Sequence, residues 1–92
     1  MENYRIIKRD GKEVDFEEEK IVNAVSKANH EIEDIYKLSE CQIRAIANNV
    51  KDQVAESLHT VSVEEIQDMV EKGIMQMRGY EVAQKYVRYR YT

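Results

Sequence analysis

Ile6-Ile7-Lys8-Arg9-Asp10-Gly11, followed by Val14-Asp15-Phe16 and then Lys20-Ile21, reads as a hairpin that feeds a helix. Ile6 to Arg9 and Glu13 to Phe16 carry β-branched or aromatic residues, and the Asp-Gly between them supplies the positive φ angles of a tight reversal. The strands are expected to pair antiparallel. Alternation places Ile6 and Lys8 on one face and Ile7 and Arg9 on the other, so apolar anchors and cations interleave. Alone, this pattern also fits a capping hairpin with ordinary solvated charges. The rest of the chain is needed to choose.

Working outward, the period changes after Phe16. Ile21, Val25, Ala28 and Ile32 recur at helical spacing, and Glu17 to Glu19 stand where a helix N-terminus favours negative charge. Ala24 and Ala28 are small enough for close approach by a neighbour or a ligand. Asn29 to Lys37 has no steady period and reads as a connection with at most one helical turn. Ser39 and Gln42 form a capping box ahead of the stripe Ile43, Ile46, Ala47, Val50, Val54 and Leu58. His59-Thr60-Val61 breaks that period and can add a third short strand to the hairpin edge. Ser62, with Glu65 three residues on, caps a third helix carrying Ile66, Met69, Val70, Ile74 and Met77. Arg78-Gly79 ends it, with glycine as the left-handed residue. Val82, Ala83, Tyr86 and Val87 define the inward face of a fourth helix, and their spacing carries Arg90 onto that face. The predicted fold is α+β and mostly α: a four-helix bundle capped by an N-terminal β-hairpin or small three-stranded sheet, in a single domain spanning 1–92.

The chain has 92 residues, 42% hydrophobic and 35% charged, with a net charge of −4. No apolar run approaches the length of a membrane span, the start lacks a signal-peptide core, and the one cysteine, Cys41, excludes an internal disulfide or a multi-cysteine zinc site. A cytoplasmic address is expected, with Cys41 as a small buried apolar residue. The acidic balance argues against a nucleic-acid surface. Charge is nevertheless uneven: Arg5, Lys8, Arg9 and Lys12 mark one end and Lys85, Arg88 and Arg90 the other. If those ends meet, they make a compact cationic site suited to a small polyanion.

Nothing pairs a nucleophile with a base, no spacing suggests a structural metal, and Gly11, Gly73 and Gly79 are too scattered for a Walker or dinucleotide loop. A nucleotide site without catalysis has more support. Lys8, Arg9, Lys20 and Arg90 are candidate phosphate ligands; Ile6, Phe16 and Ile21 offer an apolar slot for a base; Asp15 or Glu17 can accept a hydrogen bond from sugar or base amine.

The opening stretch, with Ala24 and Ala28, the segment Val61-Ser62-Val63-Glu64-Glu65-Ile66-Gln67 and the closing Tyr80-Glu81-Val82-Ala83 through Tyr86 to Arg90, resembles the ATP-cone family over essentially the whole chain. The resemblance implies a regulatory domain binding ATP or dATP, with or without Mg2+, at the N-terminus of a ribonucleotide reductase catalytic subunit. It looks most like the anaerobic class. By that resemblance phosphate contacts fall on Lys8 and Arg9, and base and sugar contacts along Val14 to Ile21, with Ala24 beside them. A threonine and a histidine that touch nucleotide in some relatives correspond here to Val63 and Gln67; Ser62, Gln67 and Arg88 are secondary candidates. A related cone occurs in the regulator of reductase genes, behind a zinc ribbon. Because this sequence starts at the cone without paired cysteines and stops soon after Arg90, it is expected to be a domain excised from a reductase. The implied partners are adenine nucleotides, the rest of the catalytic subunit and other cones in an oligomer, without membrane or nucleic acid. The competing reading is a helical protein-interaction module that binds no nucleotide.

Overall fold

The computed structural model describes residues 4–90, except for the side chain of Arg90. The elements are β1 (Arg5–Ile7), β2 (Glu13–Asp15), α1 (Glu18–His30), a single 3-10 turn (Asp34–Tyr36), α2 (Glu40–Glu56), β3 (Val61–Ser62), α3 (Val63–Gln76) and α4 (Tyr80–Arg90). This is the α+β, mostly helical architecture that the periodicities predict. The sheet has the order β2-β1-β3. β1 runs antiparallel to β2, with Ile6 opposite Val14, and parallel to β3, with Ile6 opposite Val61. Because β3 passes straight into α3, pairing with β1 anchors the start of α3 beside the hairpin.

The hairpin turn differs from the expected two-residue reversal. Gly11 N–H donates to Lys8 O at 2.9 Å, Lys8 N–H donates to Lys12 O at 2.8 Å, and only Gly11 is left-handed, at φ +85°. That is a three-residue loop of Arg9, Asp10 and Gly11 with a glycine bulge. Asp10 keeps negative φ and uses its carboxylate to accept from Lys12 N–H at 3.0 Å. Arg9 is consequently lifted out of the strand into the turn, while Lys8 stands at its mouth.

Each helix contacts two others, α1 with α2 and α4, and α3 with α2 and α4, so the bundle closes around one core. The predicted stripes supply it. Val25, Ile46, Val50, Val70, Ile74 and Val82 are essentially inaccessible, each such side chain contributing about 1.5–3 kcal/mol by burial. Val61 joins them from β3, welding the sheet to the bundle. Met69 and Met77 sit at the edge of the core, and Val87 is half-buried. Between α1 and α2, Asn29 accepts from Leu38 N–H at 2.8 Å and donates to Leu38 O at 3.0 Å, clamping the connection. Arg44 of α2 donates to Glu19 of α1 at 2.7 Å; that hydrogen bond, then the carboxylate's charge, raises the Arg44 pKa above its ordinary value.

The caps are partly as predicted. Ser39 and Gln42 form the complete capping box of α2. Ser62 Oγ accepts from Glu65 N–H at 3.1 Å, but the Glu65 carboxylate turns away to His59 Nε2, also at 3.1 Å. Three expectations are corrected. α1 ends at His30, so Ile32 packs against the core from the following bend. α2 ends at Glu56, where Ser57 Oγ donates to His59 O at 2.9 Å, and Leu58 beyond it is fully exposed. Cys41, in the first turn of α2, faces solvent rather than the core.

The end of α3 is also different in kind. Arg78 N–H donates to Met75 O and Gly79 N–H to Ile74 O, and the left-handed residue is Arg78, at φ 63°, instead of Gly79. Gly79 serves close packing: a Cβ there would lie 3.1 Å from Leu38 and 3.2 Å from Ile74. A non-glycine residue in this conformation costs about 1–2 kcal/mol. Arg78→Gly is therefore expected to stabilise the fold by about 1 kcal/mol, read as a rise in urea midpoint at constant slope.

Among the described residues no helix is long and apolar enough to cross a membrane.

Candidate functional site

A cavity of about 230 Å³ opens where the hairpin meets α1, α3 and α4. β1 and its turn contribute Ile6 and Lys8; β2 and its exit contribute Val14, Asp15 and Phe16. Alternation along β1 explains the first pair, since Ile6 and Lys8 share a face. Helix α1 supplies Lys20 at the rim, Ile21 beside it and Ala24 one turn on, with Glu17 just before its first residue. The far wall is Val63, Ile66 and Gln67 of α3 and Tyr86 of α4. The floor is thus aliphatic and aromatic, and the charges stand at the rim.

Those rim charges are mostly paired. Arg5 holds Asp15 at 3.1 Å, and Lys20 holds Glu17 at 3.1 Å. Lys8 makes no ion pair or side-chain hydrogen bond among the described residues, although its backbone is pinned on both sides by the turn. A fixed backbone carrying an uncommitted ammonium at a cavity mouth is equipped to meet an anion. An adjoining cleft of about 290 Å³ is lined by Lys8, Arg9, Asp10 and Val63, so it shares Lys8 and Val63 with the cavity. Arg9 Nε donates to Glu64 Oε2 at 3.0 Å. The pair is more than two-fifths exposed on both sides, which keeps its own stabilisation under about 1 kcal/mol.

The structure brings most of the sequence candidates together. Ile6, Lys8, Val14, Asp15, Phe16, Glu17, Lys20, Ile21, Ala24 and Gln67 all line the cavity. Arg9 lies beside it, in the adjoining cleft. Ser62 does not line it, its hydroxyl being engaged in capping α3. Arg88 lies instead in a separate groove with Glu71, Met75 and Tyr80. Arg90 closes α4, but its side chain falls outside the described residues. Ile66 and Tyr86 were legible only as helix-face residues, whose spacing marks an inward face and says nothing of a gap in it; Val63 was reached only as the match to a nucleotide-touching threonine of some relatives. Among the described residues no group of three or more His, Cys, Asp or Glu side chains converges on a metal position.

The cavity thus has apolar walls and, at its mouth, Lys8 and Lys20 beside the carboxylates of Asp15 and Glu17, on a hairpin-capped helical bundle. The chain belongs to the ATP-cone family: residues 4–92 match the ATP cone domain. It is also 32% identical to the anaerobic ribonucleoside-triphosphate reductase of Haemophilus influenzae over 96 aligned positions, an alignment that takes in 99% of this chain. The chain spans only 13% of that reductase's length.

Proposed function

We propose that this domain is an allosteric effector module that binds ATP or dATP and controls a ribonucleoside-triphosphate reductase catalytic subunit through its assembly state. The observation that carries the reading is the apolar cavity with Lys8 at its mouth, unpaired among the described residues, in a chain of the ATP-cone family. The cavity is below the roughly 300–1,000 Å³ of a drug-sized ligand site, so it suits a base and part of a sugar. The triphosphate then runs outward over Lys8 towards Arg9, with Mg2+ carried on the phosphates rather than by a protein cage. The likeness to an anaerobic reductase favours the catalytic-subunit setting over the reductase-gene regulator. Nucleotide at the junction of hairpin, α1, α3 and α4 would fix how those elements pack. Coupling to assembly requires only that two assemblies bind it with different affinity.

Calorimetry of the chain with ATP and dATP tests the binding, and saturation at micromolar concentration is expected. A folded chain that takes up neither nucleotide would favour a protein-interaction module. In an intact parent reductase, particle size and activity are expected to differ between ATP, dATP and no nucleotide; identical values at confirmed occupancy would remove the assembly mechanism.

Glu64 occupies the guanidinium that the phosphates need. Glu64→Gln removes that competitor and its repulsion, and is expected to tighten ATP binding by about three- to tenfold. The gain should shrink in high salt. Unchanged or weaker affinity would place the phosphates away from Arg9.

A further inference from the structure

The four helices run alternately away from the sheet and back, so the α1–α2 connection and the α3–α4 turn both lie at the end of the bundle far from the sheet and the cavity. That end is where apolar side chains are left in solvent. Ile35 is 79% exposed and Tyr36 46% in the 3-10 turn; Met75, near the end of α3, is 46% exposed and Tyr80, opening α4, 54%. The two connections touch, since a Cβ on Gly79 would lie 3.1 Å from Leu38. Met75 and Tyr80 continue into a groove with Ala83 and Val87. The other exposed large apolar residue among those described, Leu58, stands alone at the opposite end. Single exposed apolar residues are ordinary, whereas a group gathered at one end marks a contact surface.

Charge is divided across the same end. Glu31 and Glu33, beside Ile35 and Tyr36, are exposed and make no ion pair among the described residues, while Asp34 is held by Lys37 at 3.0 Å. On the other side Arg78 is exposed and likewise without an ion pair among the described residues. Of the acids nearest to it, Glu81 is half-buried and Glu71 is already engaged. A surface with apolar groups in both halves, acids in one and an arginine in the other is complementary to itself. We infer that the sheet-distal end of the bundle is a contact surface for a second copy of this chain, related by a two-fold axis that sets the α1–α2 connection of each copy against the α3–α4 turn of the other. Ile35 and Tyr36 then meet Met75 and Tyr80, and Arg78 meets Glu31 and Glu33, each contact occurring twice. The other two-fold arrangement, like against like, sets acids on acids. This contact is remote from the cavity and does not rest on the nucleotide reading.

Sedimentation velocity of the whole 92-residue chain without nucleotide, from about 10 µM to about 1 mM, spans the range in which so small a surface associates. Wild type is expected to dimerise weakly, with Kd on the order of 0.1 mM. Ile35→Asp changes a side chain that makes no core contact, so the fold should hold, checked by circular dichroism, while association falls about tenfold or more because a carboxylate is set among apolar groups. Arg78→Glu and Glu33→Arg should each weaken dimerisation as well. Their equimolar mixture should associate more tightly than either alone, since the reversed pair and the native pair then both face opposite charge. A chain that stays monomeric to the highest concentration, a folded Ile35→Asp that associates as wild type does, or a mixture no tighter than its components would overturn the assignment and leave the nucleotide reading untouched.

Discussion

Ala24→Phe is expected to abolish adenine-nucleotide binding, lowering affinity by more than about a hundredfold, while the domain stays folded. Ala24 lies on the cavity face of α1 between Ile21 and the core residues Val25 and Ala28, and it is only half-buried because the space in front of its methyl group is open. A phenyl ring there occupies the volume of about 230 Å³ that the base would enter. The ring meets Ile6, Phe16 and Ile66, side chains with which it packs well. Filling an existing gap adds apolar contact without forcing the helices apart, so stability should hold or rise by up to about 1 kcal/mol. Calorimetry for binding and urea unfolding for stability read the two effects separately. Retained affinity in a folded variant would mean that the nucleotide does not use this cavity. A variant that loses both fold and binding would show Ala24 to be a packing position, as Ala28 is.

The helices were legible because each carries its own signal. In α2 the buried set Ile43, Ile46, Ala47, Val50 and Val54 repeats for four turns behind a complete capping box, so its start and inner face need no tertiary information. Its end was not legible, because Leu58 continues the apolar spacing while Ser57 and His59 break the helix through local hydrogen bonds. The turn of the hairpin shows a similar ambiguity. Asp10-Gly11 is compatible with a two-residue reversal and with a glycine bulge, and the choice is made by Lys8 pairing with Lys12 across the loop. β3 is only two residues long, and its parallel partner β1 lies more than fifty positions away. A strand that short has no period of its own.

For the cavity, the near wall could be read because hairpin, Phe16 and the start of α1 are contiguous in sequence. Of the far wall only Val63 and Gln67 were reached, and through the family resemblance rather than any local pattern. Ile66 and Tyr86 have the spacing of ordinary core residues, and whether a neighbour fills the space before them depends on how α3 and α4 are set against the sheet. The Arg9–Glu64 pair is of the same kind, joining residues on β1's turn and α3 that no local pattern relates. Glutamate at the first turn of a helix is expected simply from the helix dipole.

Lys8→Ala is expected to weaken ATP binding by roughly 1.5–3 kcal/mol, the usual worth of a hydrogen bond to a charged group. That corresponds to roughly ten- to hundredfold in affinity. Lys8 is singled out from the other cations because Arg5, Arg9 and Lys20 each hold a carboxylate, whereas the Lys8 ammonium has none among the described residues. Its contribution to the unliganded fold is correspondingly small. Lys8 is exposed and its turn is held by backbone hydrogen bonds that alanine also makes, so unfolding midpoints should hardly move. The loss should scale with ligand charge: large for ATP, smaller for AMP and negligible for adenosine, since only the phosphates meet the ammonium. Raising ionic strength should narrow the gap between variant and wild type, because an exposed charge at a cavity mouth is screened. If Lys8→Ala binds ATP normally, the triphosphate lies elsewhere than the hairpin. If it weakens adenosine as much as ATP, Lys8 shapes the cavity instead of reading phosphate.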